Sequence, residues 1–236
     1  MLVISGNIGA GKDMLGDLLE EAVPGSRHFP EPSETEVFKA ALERLYSDKR
    51  RSYYLMQSTC LYVRAQQFKV SRSSLVHKSK IILGRDIYED LDEFATLGYE
   101  TGYMDEAEWM SYNLQWKFVQ ETLNDITPQH RIVLLADNGT LIRNQKSRGR
   151  ECEFKEDGVT PGYLTELNEM YHSSVIPKAL GRGESVLIIN RRKDTDWDNP
   201  KHKDNLLTLC TNFWQWSKPG TKLVYEEANG EYIKSE

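Results

Sequence analysis

The 236-residue chain has little cysteine, no long apolar run and no excess of positive charge. Its three cysteines, Cys60, Cys152 and Cys210, are odd in number and lack metal-ligand spacing, which argues against a disulfide framework or a cysteine-based metal site. Without a run of about eighteen apolar residues, no membrane span is expected. The formal net charge of −6 argues against a nucleic-acid-binding protein, because such proteins need a basic face.

These absences favour an enzyme of a reducing compartment. The first apolar run begins at Leu2, which leaves no room for a leader peptide, so a cytoplasmic location is expected. A length of 236 residues suits one α/β core. We therefore predict a single domain over residues 1–217 and a C-terminal tail, a short strand or a frayed end, over 218–236.

Short apolar runs alternate with longer helical patterns along the chain. This rhythm predicts a five-stranded parallel sheet with helices on both faces. The five runs are Leu2–Ser5, His28–Pro30, Lys80–Leu83, Ile132–Ala136 and Val186–Asn190. Because ligands of such sheets collect at the carboxyl ends of the strands, the residues that follow each run are the candidate site.

The first run leads directly into a glycine-rich loop. The loop follows the phosphate-binding pattern G-x-x-x-x-G-K-[ST], with aspartate in the last position. Glycines let backbone N–H groups wrap around phosphate oxygens, the lysine adds positive charge, and a helix beginning there adds its dipole. The alternative is a simple glycine turn. The predicted phosphate-binding residues are Gly6, Asn7, Ile8, Gly9, Ala10, Gly11, Lys12 and Asp13.

Charged residues follow the second and third runs. Glu31, before Pro32, could accept a proton from an attacking hydroxyl, and the alternative is a solvated loop glutamate. Arg85 could pair with Glu31 or stabilise charge on a transferring group, and the alternative is an ordinary ion-pair partner.

A basic segment follows the fourth run in this acidic chain. Spacing of three to four residues places several of its side chains on one helical face, which predicts a phosphate-clamping lid over about residues 143–155. Glu151 and Glu153 follow at once, so partial self-neutralisation is the alternative. The basic residues are Arg143, Lys146, Arg148 and Arg150.

Taken together, these motifs resemble the deoxynucleoside kinases related to deoxycytidine, deoxyguanosine and deoxyadenosine kinase. The resemblance spans about residues 1–190 and implies a three-layer P-loop kinase fold. It rests on the phosphate loop, Glu31-Pro32, Gln57, Arg85 with Ile87-Tyr88, Arg148-Gly149-Arg150 with Glu153, and Tyr163-Leu164.

The resemblance implies roles for individual residues. Glu31 would be the general base for the sugar 5′-hydroxyl, with Arg85, Lys12, Arg148 and Arg150 acting on the phosphates. Tyr46 and Glu153 would hold the 3′-hydroxyl, Gln57 would hydrogen-bond the base edge, and Phe94 would stack on the base. Tyr46 could instead be a helix contact and Phe94 a core residue.

The family pattern also bears on the choice of base. Arg64 and Asp90 match an arginine–aspartate pair that members preferring purines or cytosine carry and that thymidine-preferring members lack. Such a pair presents a fixed donor and acceptor pattern to an exocyclic group. A purine deoxynucleoside or deoxycytidine is therefore the expected substrate.

Two positions depart from the family pattern. Asp13 replaces the usual Ser or Thr, and Gly84-Arg85-Asp86 replaces an acidic-Arg-Ser triplet. Our hypothesis is an exchange in which Asp13, with Asp86, supplies the oxygen ligands that Gly84 no longer gives to Mg²⁺. The opposing hypothesis is weakened or lost catalysis. Glu36 and Asn144 also replace a tryptophan and a lid arginine of the family.

The resemblance implies transfer of the γ-phosphate of ATP, or of another nucleoside triphosphate, to a deoxynucleoside for nucleotide salvage. It also implies Mg²⁺ and a homodimer. Two alternatives remain: a kinase of deoxynucleoside monophosphates or modified nucleotides, and a catalytically silent nucleotide-binding homologue. No nucleic acid or membrane partner is expected.

Overall fold

The computed structural model describes residues 1–76, 80–123, 128–154, 158–191, 197 and 199–235. The strands are β1 (Leu2–Gly6), β2 (Ser26–Phe29), β3 (Lys80–Gly84), β4 (His130–Ala136), β5 (Ser185–Arg191), β6 (Lys222–Ala228) and β7 (Glu231–Ser235). The helices are α1 (Lys12–Ala22), α2 (Glu36–Leu45), α3 (Lys49–Val76), α4 (Ile87–Glu89), α5 (Thr96–Glu100), α6 (Glu106–Thr122), α7 (Asn138–Arg148), α8 (Pro161–Met170), α9 (Ile176–Gly181) and α10 (Pro200–Trp216). π-Helical turns at Asp90–Ala95 and Tyr171–Val175 connect α4 to α5 and α8 to α9, and a 3₁₀ turn spans Glu151–Phe154.

The strands form one sheet in the order β2-β3-β1-β4-β5-β6-β7. Strands β1 to β6 run parallel, and β7 pairs antiparallel with β6. All five predicted strands are present, and the predicted parallel α/β fold is confirmed. The predicted strand number is wrong, because residues 218–236 contribute two further strands to the sheet.

Apolar side chains of the central strands alternate between two cores, as a sheet covered on both faces requires. Leu2 and Ile4 of β1 pack on one face with side chains from α1, α7 and α10. Val3 packs on the opposite face with side chains from α2, α3 and α6. Under β4 and β5, that same face is covered by α9 and the π-helical turn before it.

Several helices begin with local capping interactions. Asp105 and Glu108 form a reciprocal capping box at the start of α6, and Asp137 caps α7. Gly149 ends α7 in the left-handed conformation. Within the described parts of the chain, no helix combines the length and apolarity needed to cross a bilayer.

The parallel strands bring their carboxyl ends to one edge of the sheet. The phosphate loop leaves β1 there, flanked by the ends of β3 and β4. Glu31 lies just beyond β2, and Arg85 follows β3 directly. The phosphate loop, Glu31 and Arg85 therefore lie at the edge of the sheet where a ligand is expected.

Candidate active site

A cleft opens at this edge of the sheet. The structure brings most of the predicted site residues together in its wall. They are Ile8, Lys12, Glu31, Tyr46, Gln57, Arg64, Arg85, Asp90, Phe94, Arg148, Arg150 and Glu153.

A second pocket lies on the other side of the phosphate loop. It is lined by Gly9, Gly11 and Asp13, and it shares Lys12, Glu31 and Arg148 with the first cleft. The two pockets therefore meet at one lysine, one carboxylate and one arginine. This is the arrangement expected where a donor and an acceptor of a phosphoryl group approach each other.

Glycines of the loop adopt backbone angles that other residues rarely reach. Gly9 and Gly11 have φ angles of 83° and 91°, which side chains rarely tolerate. A Cβ on Gly9 would also lie only 2.6 Å from the Leu141 carbonyl oxygen. The loop therefore packs directly on α7, and α1 begins immediately after Gly11.

Three consecutive loop carbonyls accept hydrogen bonds from side chains outside the loop. Gln145 donates to Ile8 O at 3.2 Å, Asn144 to Gly9 O at 2.7 Å and Arg191 to Ala10 O at 2.8 Å. Because the peptide is planar and trans, a carbonyl held outward points the next N–H the other way. These contacts thus orient loop amides toward a bound anion.

Lys12 is buried beneath the loop that it follows. Its Nζ donates to the carbonyls of Gly6 and Asn7 at 3.0 and 3.1 Å and lies 4.0 Å from Glu31. Burial, assisted by the positive charge of Arg85, lowers the pKa of Lys12 to about 8. Burial at this position therefore disfavours the charged form of Lys12.

Glu31 is surrounded by cations. Arg64 and Arg85 both donate to its Oε1, at 2.9 and 3.0 Å. Burial alone would raise the pKa of Glu31, but Arg85, Lys12 and Arg64 outweigh it and hold that pKa well below the usual range. Within the described chain its Oε2 has no hydrogen bond, so this oxygen can accept one from a ligand.

Arg85 is held by contacts on every side of its guanidinium group. Besides Glu31, it donates to Gly6 O at 2.9 Å and pairs with Glu89 at 3.0 Å, while its Cζ lies 4.5 Å from the Phe94 ring centroid. Its backbone adopts a φ of 64°, a strained conformation for a side-chain-bearing residue. Strain of this kind, held in place by a network, is typical of functional positions.

The predicted arginine–aspartate pair is formed at the inner end of the cleft. Arg64 Nε lies 2.7 Å from Asp90 Oδ2, and both side chains are nearly inaccessible. Arg64 also donates to Gly84 O at 3.0 Å. Burial raises the pKa of Asp90 to about 6, although Arg64 opposes that shift.

Polar and aromatic groups line the rest of the cleft. Within the described chain the buried Gln57 amide makes no protein hydrogen bond, which leaves both amide functions for a ligand. Phe94 is fixed by its own carbonyl, which accepts from Tyr53 at 2.9 Å. Burial raises the pKa of Tyr46 well above its usual value, so its hydroxyl stays neutral.

The lid arginines are paired with carboxylates. Arg148 Nη2 donates to both oxygens of Glu153, at 2.5 and 2.7 Å. Arg150 donates to Ser33 Oγ at 2.6 Å and to Glu34 at 2.9 Å. The alternative, partial self-neutralisation, is therefore seen for Arg148 with Glu153, yet both arginines line the cleft. Residue 155, the end of the predicted lid, lies outside the described residues.

Comparison with known proteins decides the family. A sequence model described as deoxynucleoside kinase matches residues 2–215. The chain belongs to the deoxynucleoside kinase family. It is a kinase of the α/β class, as the motifs predicted.

Individual relatives agree with this assignment. The chain is 30% identical over 211 residues to the probable deoxycytidine kinase of Fowlpox virus. The match covers 89% of this chain and 86% of the relative. It is 24% identical over 173 residues to the deoxyadenosine/deoxycytidine kinase of Bacillus subtilis, with 73% and 75% covered. The fold matches that of deoxyadenosine kinase from M. mycoides with bound dCTP, with a TM-score of 0.69 and 23% identity over 91% of this chain and 98% of that one.

The two acidic residues of the exchange hypothesis lie in different surroundings in this kinase. Asp13 lines the second pocket, and a Cβ on Gly84 would lie 3.2 Å from its Oδ1. Asp13 therefore lies beside Gly84, the position at which the family usually has an acidic residue. One or two carboxylates, phosphate oxygens and water suit Mg²⁺, so this donor set fits the ion.

Asp86 does not support the metal role that the sequence suggested. It is fully buried, its Oδ2 accepts from Arg131 at 2.7 Å, and its Oδ1 accepts from the Glu89 amide at 2.9 Å. Its oxygens therefore belong to an ion-pair network and to the cap of α4. Among the described residues, no cluster of three or more His, Cys, Asp or Glu side chains is placed to hold a metal.

Sequence reasoning missed the support beneath the kinase site. Arg131 pairs with Asp86, Glu89 and Glu184, all completely buried. Glu89 also accepts from the hydroxyl of Tyr171 at 2.6 Å, and that hydroxyl accepts from the Gly6 amide at 3.1 Å. The network therefore reaches both Arg85 and the phosphate loop. The sequence signal for this network is a charged residue inside or beside a buried strand, as at Arg131 in β4.

Proposed function

We propose that this kinase transfers the γ-phosphoryl group of ATP, or of another nucleoside triphosphate, to the 5′-hydroxyl of a purine deoxynucleoside or deoxycytidine. The observation that carries the proposal is the shared wall of the two pockets. Lys12, Glu31 and Arg148 face both of them, so a donor on the phosphate loop and a nucleoside in the cleft would meet there.

The proposed chemistry follows from charge and position. Loop amides and Lys12 bind donor phosphates, and Arg85, Arg148 and Arg150 stabilise charge on the transferring group. Glu31 Oε2 accepts a hydrogen bond from the 5′-hydroxyl. A carboxylate with a lowered pKa is a weak base, so Glu31 mainly orients the nucleophile and takes the proton late, as a loose transition state permits.

Recognition of the nucleoside uses the other end of the cleft. Gln57 hydrogen-bonds the base edge, Phe94 stacks on the base, and the Arg64–Asp90 pair reads the exocyclic group. Asp90, whose partner Arg64 is also tied to Glu31, connects base recognition to the reacting end. Tyr46 and Glu153 hold the 3′-hydroxyl, which requires Glu153 to share its oxygens with Arg148.

Asp13 is the proposed protein ligand of Mg²⁺. The ion would offset the negative charge of a triphosphate beside this carboxylate. Asp13 also accepts a long contact from the Glu31 amide at 3.4 Å, which places it next to the end of β2.

A phosphate-transfer assay tests the reaction. Wild-type protein would be offered ATP and magnesium with deoxyadenosine, deoxyguanosine, deoxycytidine, thymidine, dAMP or dGMP. We expect turnover of one or more of the first three and little of thymidine. Turnover of the monophosphates alone would establish a monophosphate kinase instead. ATP binding without turnover of any acceptor would establish a silent homologue.

The Glu31→Gln variant tests the assigned chemistry. It preserves size and removes the charge that faces the nucleophile, so kcat is expected to fall about 10²–10⁴-fold with the fold retained. Glu36→Gln, a change at the exposed start of α2, is the matched control and should leave kcat unchanged. Near-full activity in Glu31→Gln would refute the role of Glu31.

A homodimer through α3 and α6 is the proposed assembly. Met110, Leu114 and Phe118 recur every four residues on α6 and are 64–71% exposed. Leu55 and Tyr62 of the adjacent α3 are also exposed. Such a stripe on one helix face is typical of an interface with a second copy. Light scattering should give a dimer mass for wild type and a monomer mass for Leu114→Glu, and a wild-type monomer would contradict the proposal.

A further inference from the structure

The C-terminal hairpin formed by β6 and β7 lies beyond residue 215, where the family match ends. Most of its side chains are exposed or half-buried, but Glu227 in β6 is completely buried. A carboxylate in such a place is costly unless it has partners. The partners of Glu227 therefore reveal what the hairpin supports.

Glu227 holds three side chains. Its Oε1 accepts from the Tyr232 hydroxyl at 2.7 Å and from Trp197 Nε1 at 3.4 Å. Its Oε2 lies 3.8 Å from Arg191 Nε. Arg191 in turn lies on Trp197, with 3.6 Å between the guanidinium carbon and the ring centroid. One carboxylate thus fixes a stacked arginine–tryptophan pair.

The stacked pair packs against the phosphate loop. Arg191 Nη1 donates to Ala10 O at 2.8 Å. A Cβ on Gly11 would lie 3.0 Å from both Arg191 Nη1 and the Trp197 ring. Holding the Ala10 carbonyl outward directs the Gly11 amide away from Arg191 and into the loop. Both Arg191 and Trp197 also line the second pocket.

We infer that Glu227 is a positioning residue for the phosphate donor, acting through Arg191 and Trp197 on the amides of the phosphate loop. The C-terminal hairpin therefore supports the donor site of this kinase from behind Arg191 and Trp197. The inference rests on the proposed function in one respect, that the donor is a nucleoside triphosphate. Arg191 and Trp197 line the second pocket, and neither is among the described residues that line the acceptor cleft, so the effect should be confined to the donor.

Isothermal titration of ATP into the full-length protein, without acceptor, tests the inference. Glu227→Gln keeps an acceptor for Tyr232 and Trp197 but removes the charge that faces Arg191. We expect the Kd for ATP to rise about tenfold, with the KM for the nucleoside unchanged. Tyr232→Phe, which removes one contact to Glu227 and leaves Arg191 in place, should give a smaller change in the same direction.

Glu231→Gln is the matched control, because Glu231 lies on the same hairpin and is 66% exposed. It should leave both constants unchanged. An unaltered Kd for ATP in Glu227→Gln would overturn the inference, and so would equal rises in the donor and acceptor constants, which indicate a general loss of structure. If wild type binds no nucleoside triphosphate, the proposed function fails; if wild type binds ATP and the variant binds equally well, only the inference fails.

Discussion

Two groups of ion pairs surround the active site, and they differ in burial. The lower cluster, Arg131 with Asp86, Glu89 and Glu184, has no exposed side chain. The lid cluster, Arg148 and Arg150 with Glu34 and Glu153, is partly open: the arginines are 33% and 23% exposed and Glu34 is 74% exposed, although Glu153 is only 2% exposed. Both clusters contain arginines paired with carboxylates, and the exposure of the arginines separates them.

The difference in burial implies a division of labour. Breaking a buried pair leaves an uncompensated charge in a medium of low dielectric constant, which holds the lower cluster in one arrangement. Water reaches the lid arginines, so they can exchange a carboxylate for a phosphate at a smaller cost than Arg131 could. The lower cluster thus positions Arg85 and the loop, while the lid cluster is suited to bind and release substrate.

The largest effect is expected at Arg131. Arg131→Met removes the shared partner of three buried carboxylates and should lower the free energy of unfolding by about 3–5 kcal/mol. Urea denaturation at pH 7 measures the change. Arg51→Met is the control, because Arg51 is 84% exposed and pairs only with Asp48 in the described chain, and it should change stability by less than about 0.5 kcal/mol. Equal effects of the two substitutions would remove the distinction between the clusters.

A smaller effect of opposite sign is expected at Lys12. Its pKa, lowered to about 8, means that the unfolded chain binds this proton more tightly than the folded protein does. Stability therefore increases as the pH rises from about 8 to the ordinary lysine value near 10.5, and below pH 8 the full cost of the buried charge is present. Lys12→Met should stabilise the fold by about 1–2 kcal/mol at pH 7 while abolishing phosphate transfer.

Thermal unfolding between pH 7 and pH 10 checks this sign. The difference in melting temperature between wild type and Lys12→Met should shrink as the pH rises. Lys201→Met, a change at a side chain 72% exposed, should show no such trend. A less stable Lys12→Met protein at pH 7 would contradict the argument.

The sequence predicts the strands and loops that are encoded by a short run of neighbouring residues. Strands β1, β3, β4 and β5 appear as apolar runs because both of their faces are buried, whereas the edge strand β2 is only partly buried. For residues 218–236 the sequence predicts only a short strand or a frayed end, because the side chains of β6 and β7 are largely exposed or half-buried and give no apolar run. The phosphate loop was readable because its function demands glycine and lysine at fixed spacing.

The supports of the site could not be predicted in the same way. Arg131 and Glu184 are 53 residues apart in sequence, and nothing in either neighbourhood marks the pair as buried. Glu227 likewise lies in a segment that reads as a polar tail. Asp86 is the converse case, because its position beside Arg85 suggests a metal ligand while its side chain contacts Arg131. Sequence motifs identify the residues that contact a ligand, whereas the residues that hold a motif in place are set by three-dimensional packing.

The smallest loss of stability, and the sharpest separation of stability from activity, is expected in the lid. Arg148→Ala removes the main partner of the buried Glu153 but leaves Arg150 3.8 Å from it, so the free energy of unfolding should fall by about 1–2 kcal/mol, less than for Arg131→Met. Activity should fall far more, because Arg148 faces both pockets and a cation at their junction stabilises charge that develops only in the transition state. Measured together, kcat and urea denaturation should separate Arg148→Ala from Arg51→Met by its loss of activity and from Arg131→Met by its smaller loss of stability. A loss of stability as large as that of Arg131→Met would show that the lid is as fixed as the lower cluster, and the proposed exchange of carboxylate for phosphate would then be untenable.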